Sequence, residues 1–301
     1  MYLHEDKELF ADVIALTAER TGQAQDIIEK DYYVTIILKE LSESDYPICF
    51  KGGTSLSKAY GVIDRFSEDI DITFTEHIGV ARRKKLKYEI LGPVADKLGL
   101  KILNWDDIES NKEYNHYDYG YKSIVEDSFL TPFVKLETAL MSYAFPTEEQ
   151  LLSNYIYEAL KDDESELIAD YDLAPFSMQV QSLKRTLIDK IFATCDYYLQ
   201  GKAARNSRHL YDIYKLAQHV EIDDSFKALI PAVREHRLQM KNDIAPSADS
   251  KYSIPDLIKE YCDKDFYKSD YELTTLKLIT DAISYDETKD FVLKFTRKIF
   301  K

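Results

Sequence analysis

Two short clusters in the chain carry residue types that could do chemistry together. The first is Lys51-Gly52-Gly53-Thr54-Ser55-Leu56 and the second is Ser67-Glu68-Asp69-Ile70-Asp71. Two glycines between a strand and a helix let the backbone come close to a ligand. The free N–H groups of the helix start, with the Thr54 and Ser55 hydroxyls, make a cradle for an anion such as phosphate. Asp69 and Asp71, at i and i+2 of one strand, project to the same face. Like charges held that close need a cation between them, and a divalent metal with oxygen ligands is the natural one. Glu137 is the best candidate for a third carboxylate, since it lies on the polar face of a strand whose other face is apolar. Three carboxylates beside a phosphate cradle form a two-metal site for displacement at phosphorus. With Glu137 in that role, Lys135 on the same face is a phosphate contact; without it, the site holds one metal. Taken singly, a Gly-Gly pair is most often a tight turn and an Asp-x-Asp strand a solvated edge. It is their order and spacing together that point to a nucleotide and a metal.

The elements around these clusters follow from periodicity. The opening segment, to about Leu41, reads helical, with Ile27, Ile28, Tyr32, Thr35, Ile36 and Leu38 recurring at turns. Pro47 to Phe50 reads as a short buried strand stopped by Gly52-Gly53, and Thr54 to Tyr60 as a helical turn or two closed by Gly61. Ser67 to Phe74 alternates as a strand, Val80 to Leu98 reads as a basic amphipathic helix, and Tyr114 to Ser123 and Phe133 to Met141 read as further strands. After Pro146 the strand signals stop. Gln179 to Leu199 and Arg205 to His219 read as helices, with more helical patterns from Asp223, Ile254, Leu273 and Thr288. The expected class is α+β: an N-terminal α/β module over 1–145, and a helical C-terminal domain over 146–301.

Composition narrows the function. With 39 basic and 54 acidic side chains the net charge is −15, so the chain cannot coat duplex nucleic acid through phosphate contacts. The densest cationic run, Arg82-Arg83-Lys84-Lys85-Leu86-Lys87, is either a solvated helix face or a local RNA contact. No apolar run is long enough to span a membrane, no secretory signal is evident, and Cys49, Cys195 and Cys262 are too sparse for a disulfide framework. A cytoplasmic address is the expectation. His4, His77, His116, His219 and His236 have no metal-ligand spacing to one another. The 23 tyrosines fall mostly at helical or strand periodicities, as core and edge packing requires, rather than as base-stacking platforms.

Gly52-Gly53-Thr54-Ser55-Leu56 followed by Arg65-Phe66-Ser67-Glu68-Asp69-Ile70-Asp71 resembles the signature of the AbiEii/AbiGii nucleotidyltransferase toxins, within the DNA polymerase beta-like nucleotidyltransferase superfamily. Glu29-Lys30-Asp31-Tyr32 and Arg208-His209-Leu210-Tyr211-Asp212 extend the resemblance from about residue 20 to about 220. It implies a nucleotidyltransferase-type mixed sheet with flanking helices. It also implies a toxin of a toxin–antitoxin or phage-defence pair; some relatives transfer nucleotides to the 3′ end of tRNA. By the same resemblance Ser67 and Asp69 belong to the catalytic motif, Asp71 is the second metal carboxylate, and Lys190 and Asp212 are the helical lysine and the late acidic residue. Lys190 sits at the rim of an apolar stripe, where it can reach a nucleotide phosphate. Arg208 and Asp212, at i and i+4, can orient each other. One departure is His209, which stands where the usual motif has an acidic residue.

The expected activity is therefore metal-dependent transfer of a nucleotide from a nucleoside triphosphate to an RNA acceptor such as tRNA. Magnesium or manganese would sit on Asp69 and Asp71, with or without Glu137. Lys51, Gly52, Gly53, Thr54, Ser55, Lys135, Lys190 and Arg208 would contact the nucleotide, and a cognate antitoxin is the expected partner. Two alternatives stay open: a nucleotide-binding module without turnover acting through a partner protein, and nucleotidylation of a protein hydroxyl.

Overall fold

The structure is a computed structural model that describes residues 1–65, 67–128, 130–240 and 243–300. Phe66, quoted above within the motif, lies outside the described residues. The chain divides into two compact units, Met1–Tyr60 with Ser67–Val180, and Gly61–Phe66 with Gln181–Lys301.

In the first unit, α1 (Lys7–Thr21) begins where the Asp6 side chain accepts the Leu9 N–H, and α2 (Gln25–Ser42) follows after a break at Gly22. Next come β1 (Ile48–Lys51), α3 (Gly52–Lys58) and β2 (Ile70–Phe74). The basic segment is helical as its periodicity predicts: α4 (Val80–Lys85) passes through a wider turn at Leu86–Leu91 into α5 (Gly92–Lys97). Then come β3 (Lys101–Ile102), β4 (Tyr114–Gly120), β5 (Phe133–Ala139) and β6 (Thr147–Leu152). Two short helices, α6 (Tyr155–Leu160) and α7 (Ser165–Asp170), precede β7 (Phe176–Gln181).

The strands form one seven-stranded sheet in the order β3-β4-β5-β2-β1-β7-β6. β1–β2, β4–β5 and β3–β4 are antiparallel, whereas β2–β5 and β1–β7 are parallel. Alternation decides which face is covered. Ile70 and Ile72 of β2, Val134 and Leu136 of β5, and Tyr117 and Tyr119 of β4 are buried in a core shared with Tyr32, Tyr33 and Ile37 of α2. The intervening residues of β4 and β5 are only partly covered, and that half-open face carries the polar side chains.

The second unit is helical: α8 (Leu183–Leu199), α9 (Arg208–Leu216), α10 (Asp224–Leu238), α11 (Ile254–Asp263) and a last helix, Tyr285–Ile299. α8 packs on α9, α10 and α11, and the last helix packs on α9 and α11. Leu187, Ile191 and Cys195, at helical spacing on α8, are fully buried in its core together with Ile188.

The strand signals do not in fact stop at Pro146. β6 is polar along most of its length, Thr-Glu-Glu-Gln, because it lies at an edge of the sheet and has no second strand to cover it. β7 occupies residues expected to open a helix; that helix starts at Leu183, where Ser182 Oγ accepts the Arg185 N–H. β2 is also shorter than its alternation suggests. β1 ends at Lys51, opposite Asp71, so residues 67–69 have no partner on that side. α3 ends at Lys58 with Ala59 as its C-cap rather than at Gly61.

Candidate active site

β1 turns directly into α3 at Gly52, whose φ of +82° is one that side-chain-bearing residues rarely adopt. A Cβ on Gly52 would stand 1.9 Å from Oδ2 of Asp71. The absent side chain is therefore what lets the Asp71 carboxylate lie against the strand–helix turn. Lys51 pairs with Asp71, Asp71 with Glu137, and Glu137 with His116. Directly paired residues share a face. These four thus form a transverse row across β1, β2, β5 and β4.

Asp69 stands one residue before β2. Its carbonyl accepts a hydrogen bond from Thr54 Oγ1 at 2.5 Å, and the same hydroxyl lies 2.9 Å from Ser67 Oγ. Ser55 Oγ donates to the Gly52 carbonyl at 2.9 Å. Thr54 and Ser55 are buried; Thr54 fastens Ser67 and Asp69 to the helix that follows Gly52, and Ser55 closes the turn onto Gly52 itself. Tyr114 of β4 lies two residues from His116, the register partner of Glu137, and so on the same face. Burial of its hydroxyl, then Glu137, Asp71 and Asp69 in turn, pushes Tyr114 well above the ordinary tyrosine value. One hydroxyl thus feels the charge of all three carboxylates. Lys135 shares the Glu137 face and is in register with Asp118.

The donors suit a divalent ion: hard carboxylate oxygens, two of them on directly paired residues. Among the described residues no three His, Cys, Asp or Glu side chains already converge as a finished metal site does. The fit is therefore one of donor chemistry and strand register.

The Glu29-Lys30-Asp31 motif on α2 supports this face from beneath. Lys30 Nζ donates to the Thr131 and Phe133 carbonyls at 2.7 Å each and pairs with Glu68 at 3.1 Å. Glu29 accepts from Ser123 Oγ and the Ile124 N–H, and Asp31 pairs with Lys58 at the end of α3. Each motif residue fixes a segment that leads into a site strand or into α3.

In the second unit, Asp212 is fully buried and is the hub of an ion cluster. Arg65 grips it with two hydrogen bonds, at 2.7 and 2.9 Å, and Lys190 Nζ donates to it at 2.7 Å. The expected Arg208–Asp212 pair is not formed, because Arg65 and Lys190 occupy both carboxylate oxygens. Arg208 Nε is buried without a hydrogen-bond partner. Burial alone would raise the Asp212 value, but Arg65 and Lys190 outweigh it and hold the carboxyl well below the usual range. Burial lowers Lys190 despite Asp212, and burial followed by Lys190 pushes His209 well below its ordinary value. His209 is therefore a neutral ring, stacked on Tyr197. Sequence reasoning quoted Arg65 within the motif but gave it no task. Its partner is 147 positions away, and the only local signal was a lone basic residue just before Ser67.

A family model described as nucleotidyl transferase AbiEii toxin, type IV toxin–antitoxin system, matches residues 36–297. No curated protein matches the chain. Among solved structures, MenT4, a nucleotidyltransferase toxin from Mycobacterium tuberculosis, is similar with a TM-score of 0.57 and 18% identity, covering 95% of this chain and 89% of that one. An H. pylori protein described as a nucleotidyltransferase has a TM-score of 0.43 and 17% identity, covering 92% of this chain and 96% of that one. The similarity to MenT4 is one of fold, whereas the family match runs from α2 into the last helix. The chain belongs to the AbiEii family of nucleotidyltransferase toxins of type IV toxin–antitoxin systems.

Proposed function

We propose that this nucleotidyltransferase transfers a nucleotide from a nucleoside triphosphate to an RNA acceptor such as tRNA, with magnesium or manganese, and that a cognate antitoxin restrains it. The observation that carries this reading is the Asp71 carboxylate lying against Gly52 with Glu137 in direct register. A divalent ion held by Asp69, Asp71 and Glu137 would neutralise charge developing on the reacting phosphate.

The chain's own residues do the remaining work. Gly52 and Gly53 leave the surface beside Asp71 free of side chains, so a triphosphate can lie against backbone. Lys51, at the end of the row, and Lys135, on the Glu137 face, supply positive charge to it, and Thr54 and Ser55 hold the turn through their internal hydrogen bonds. For Lys190, Arg208 and Asp212 the family resemblance gives the roles. What supports them is the surplus of cations around one carboxylate: Arg65 and Lys190 share Asp212, with Arg208 beside them. In the reaction, the acceptor hydroxyl oxygen bonds to the α-phosphorus and the bond from that phosphorus to the β-phosphate oxygen breaks. Pyrophosphate leaves, and the hydroxyl proton passes to Glu137 and on to water.

The test supplies purified protein with magnesium, each labelled nucleoside triphosphate in turn, and total tRNA. Label is expected in RNA, and Asp69→Ala should lower the rate at least about a hundredfold. Undiminished transfer by Asp69→Ala would overturn the mechanism. Label in protein instead of RNA would move the acceptor to a protein hydroxyl.

A further inference from the structure

The sheet of the first unit has an edge at β3, and beside that edge lies a cleft to which the transfer reaction gives no task. β3 is hydrogen-bonded to β4 on one side only. The Leu103 N–H donates to the Asp118 carbonyl, so by antiparallel alternation the Ile102 N–H and carbonyl point away from β4. They form one donor–acceptor pair of the kind an added strand takes up. The cleft, of about 500 Å³, lies between this edge and α5, with Ala95, Leu100, Ile102, Leu103 and Trp105 as its apolar lining.

The cleft is held in shape from within the unit. Lys87 is buried and donates to the Trp105 and Ile108 carbonyls at 2.7 and 3.0 Å, with its Nζ 4.4 Å from the centre of the Trp105 ring. A Cβ on Gly92 would stand 3.0 Å from Trp105 Cη2, so glycine at that position lets the indole lie against α5. Tyr88 meets the indole edge-on at 5.8 Å. Tyr88 and Leu103 are nevertheless 59% and 57% exposed, which leaves two large apolar side chains in water around a preformed hollow.

Charge decides what class of partner this surface suits. Asp96 and Asp106 stand in the lining with Asp107 beside them, all exposed, against Lys101 alone. Lys97, next to Asp96, is engaged by Glu40 and Glu43. The rim is therefore acidic, on a chain of net charge −15. Such a rim repels nucleic-acid phosphates despite the aromatic wall, and it attracts lysine and arginine.

We propose that this edge docks an extended, basic segment of a partner protein. The segment adds to β3 as one more strand, places a large apolar side chain against Trp105, and turns neighbouring lysine or arginine side chains toward Asp96 and Asp106. β3 lies four strands from β1, about 19 Å at ordinary interstrand spacing, so a segment bound there leaves the Gly52 turn open.

Trp105 is the chain's single tryptophan, so its emission reports on this cleft. The test titrates the full chain with a capped peptide of alternating lysine and leucine, with its glutamate–leucine counterpart, and with a short single-stranded RNA. The lysine–leucine peptide should change Trp105 emission saturably. Asp96→Lys combined with Asp106→Lys should weaken it at least about tenfold, and Leu103→Asp at least about fivefold. Methylating the central leucine nitrogen of the peptide should weaken it about fivefold, because a main-chain donor is lost. The same charge change placed on α7, Glu166→Lys combined with Asp170→Lys, should leave binding within about twofold. All the substituted residues are exposed, so unchanged thermal midpoints separate lost binding from lost folding. The proposal is overturned if the lysine–leucine peptide gives no saturable response, or if the glutamate peptide or the RNA binds as tightly. Equal losses from the α7 and cleft charge changes, or full affinity of the methylated peptide, also overturn it.

Discussion

At the scale of single residues, Gly52 and Asp212 are the positions where the chain has least latitude. Gly52→Ala would combine a strained backbone with a methyl in the space of the Asp71 carboxylate. The expected cost is about 1–3 kcal/mol of stability, with transfer falling by far more than stability does, because Asp71 must move. Gly79→Ala is the control: nothing lies within 4 Å of its added methyl. Comparing urea midpoints and label transfer for the two variants checks this. Asp212→Asn would leave Arg65 and Lys190 buried without a balancing charge. Breaking such a cluster costs about 3–5 kcal/mol, readable as a fall in thermal midpoint. The sign for acid follows from the depressed Asp212 value: its contribution is full above the ordinary carboxylate range and is lost as pH falls below that range.

At the scale of elements, Lys30 on α2 shows how a helix remote in sequence holds the site strands. Lys30→Met would strip donors from the Thr131 and Phe133 carbonyls and leave Glu68 without its cation. We expect a loss of about 2–4 kcal/mol and faster amide hydrogen exchange at the start of β5, while exchange in the second unit stays unchanged. The site elements were legible in the sequence because their signals are local. Alternation exposed β5 and most of β2, and Gly-Gly marked the turn into α3. β6 and β7 were hidden for opposite reasons: an edge strand needs no second apolar face, and β7 runs straight into a helix whose apolar stripe dominates its neighbourhood. Partner choice was not legible either. Nothing near Asp212 says that Arg65 takes it in place of Arg208, and nothing near Glu137 says that His116 stands opposite. Such pairings are set by register and packing between segments far apart in sequence.

For the whole molecule, three histidines partly or fully withdrawn from water, His4, His209 and His236, shape the response to acid. Burial lowers His4, His209 and His236, the last to about 4, so each is carried as a neutral ring. Their values in the unfolded chain, near 6.5, lie above those in the fold. As pH falls, the unfolded chain takes up protons first. Stability is therefore full above about pH 6.5 and declines below it, by about 1.4 kcal/mol per pH unit for His209 alone. Urea midpoints at about pH 7.5 and about pH 5.5 should show the drop, and His209→Asn should make it shallower by about one proton. No helix among the described residues is long and apolar enough to cross a membrane. The central claim is that the carboxylates facing the Gly52 turn carry out nucleotide transfer. Its most direct test is a single-turnover assay of Asp71→Asn, which keeps the side chain's shape and removes its charge, beside wild type of matched thermal midpoint. The account predicts that labelled RNA and released pyrophosphate fall together, by at least about a hundredfold. Equal single-turnover rates for the two proteins would contradict it.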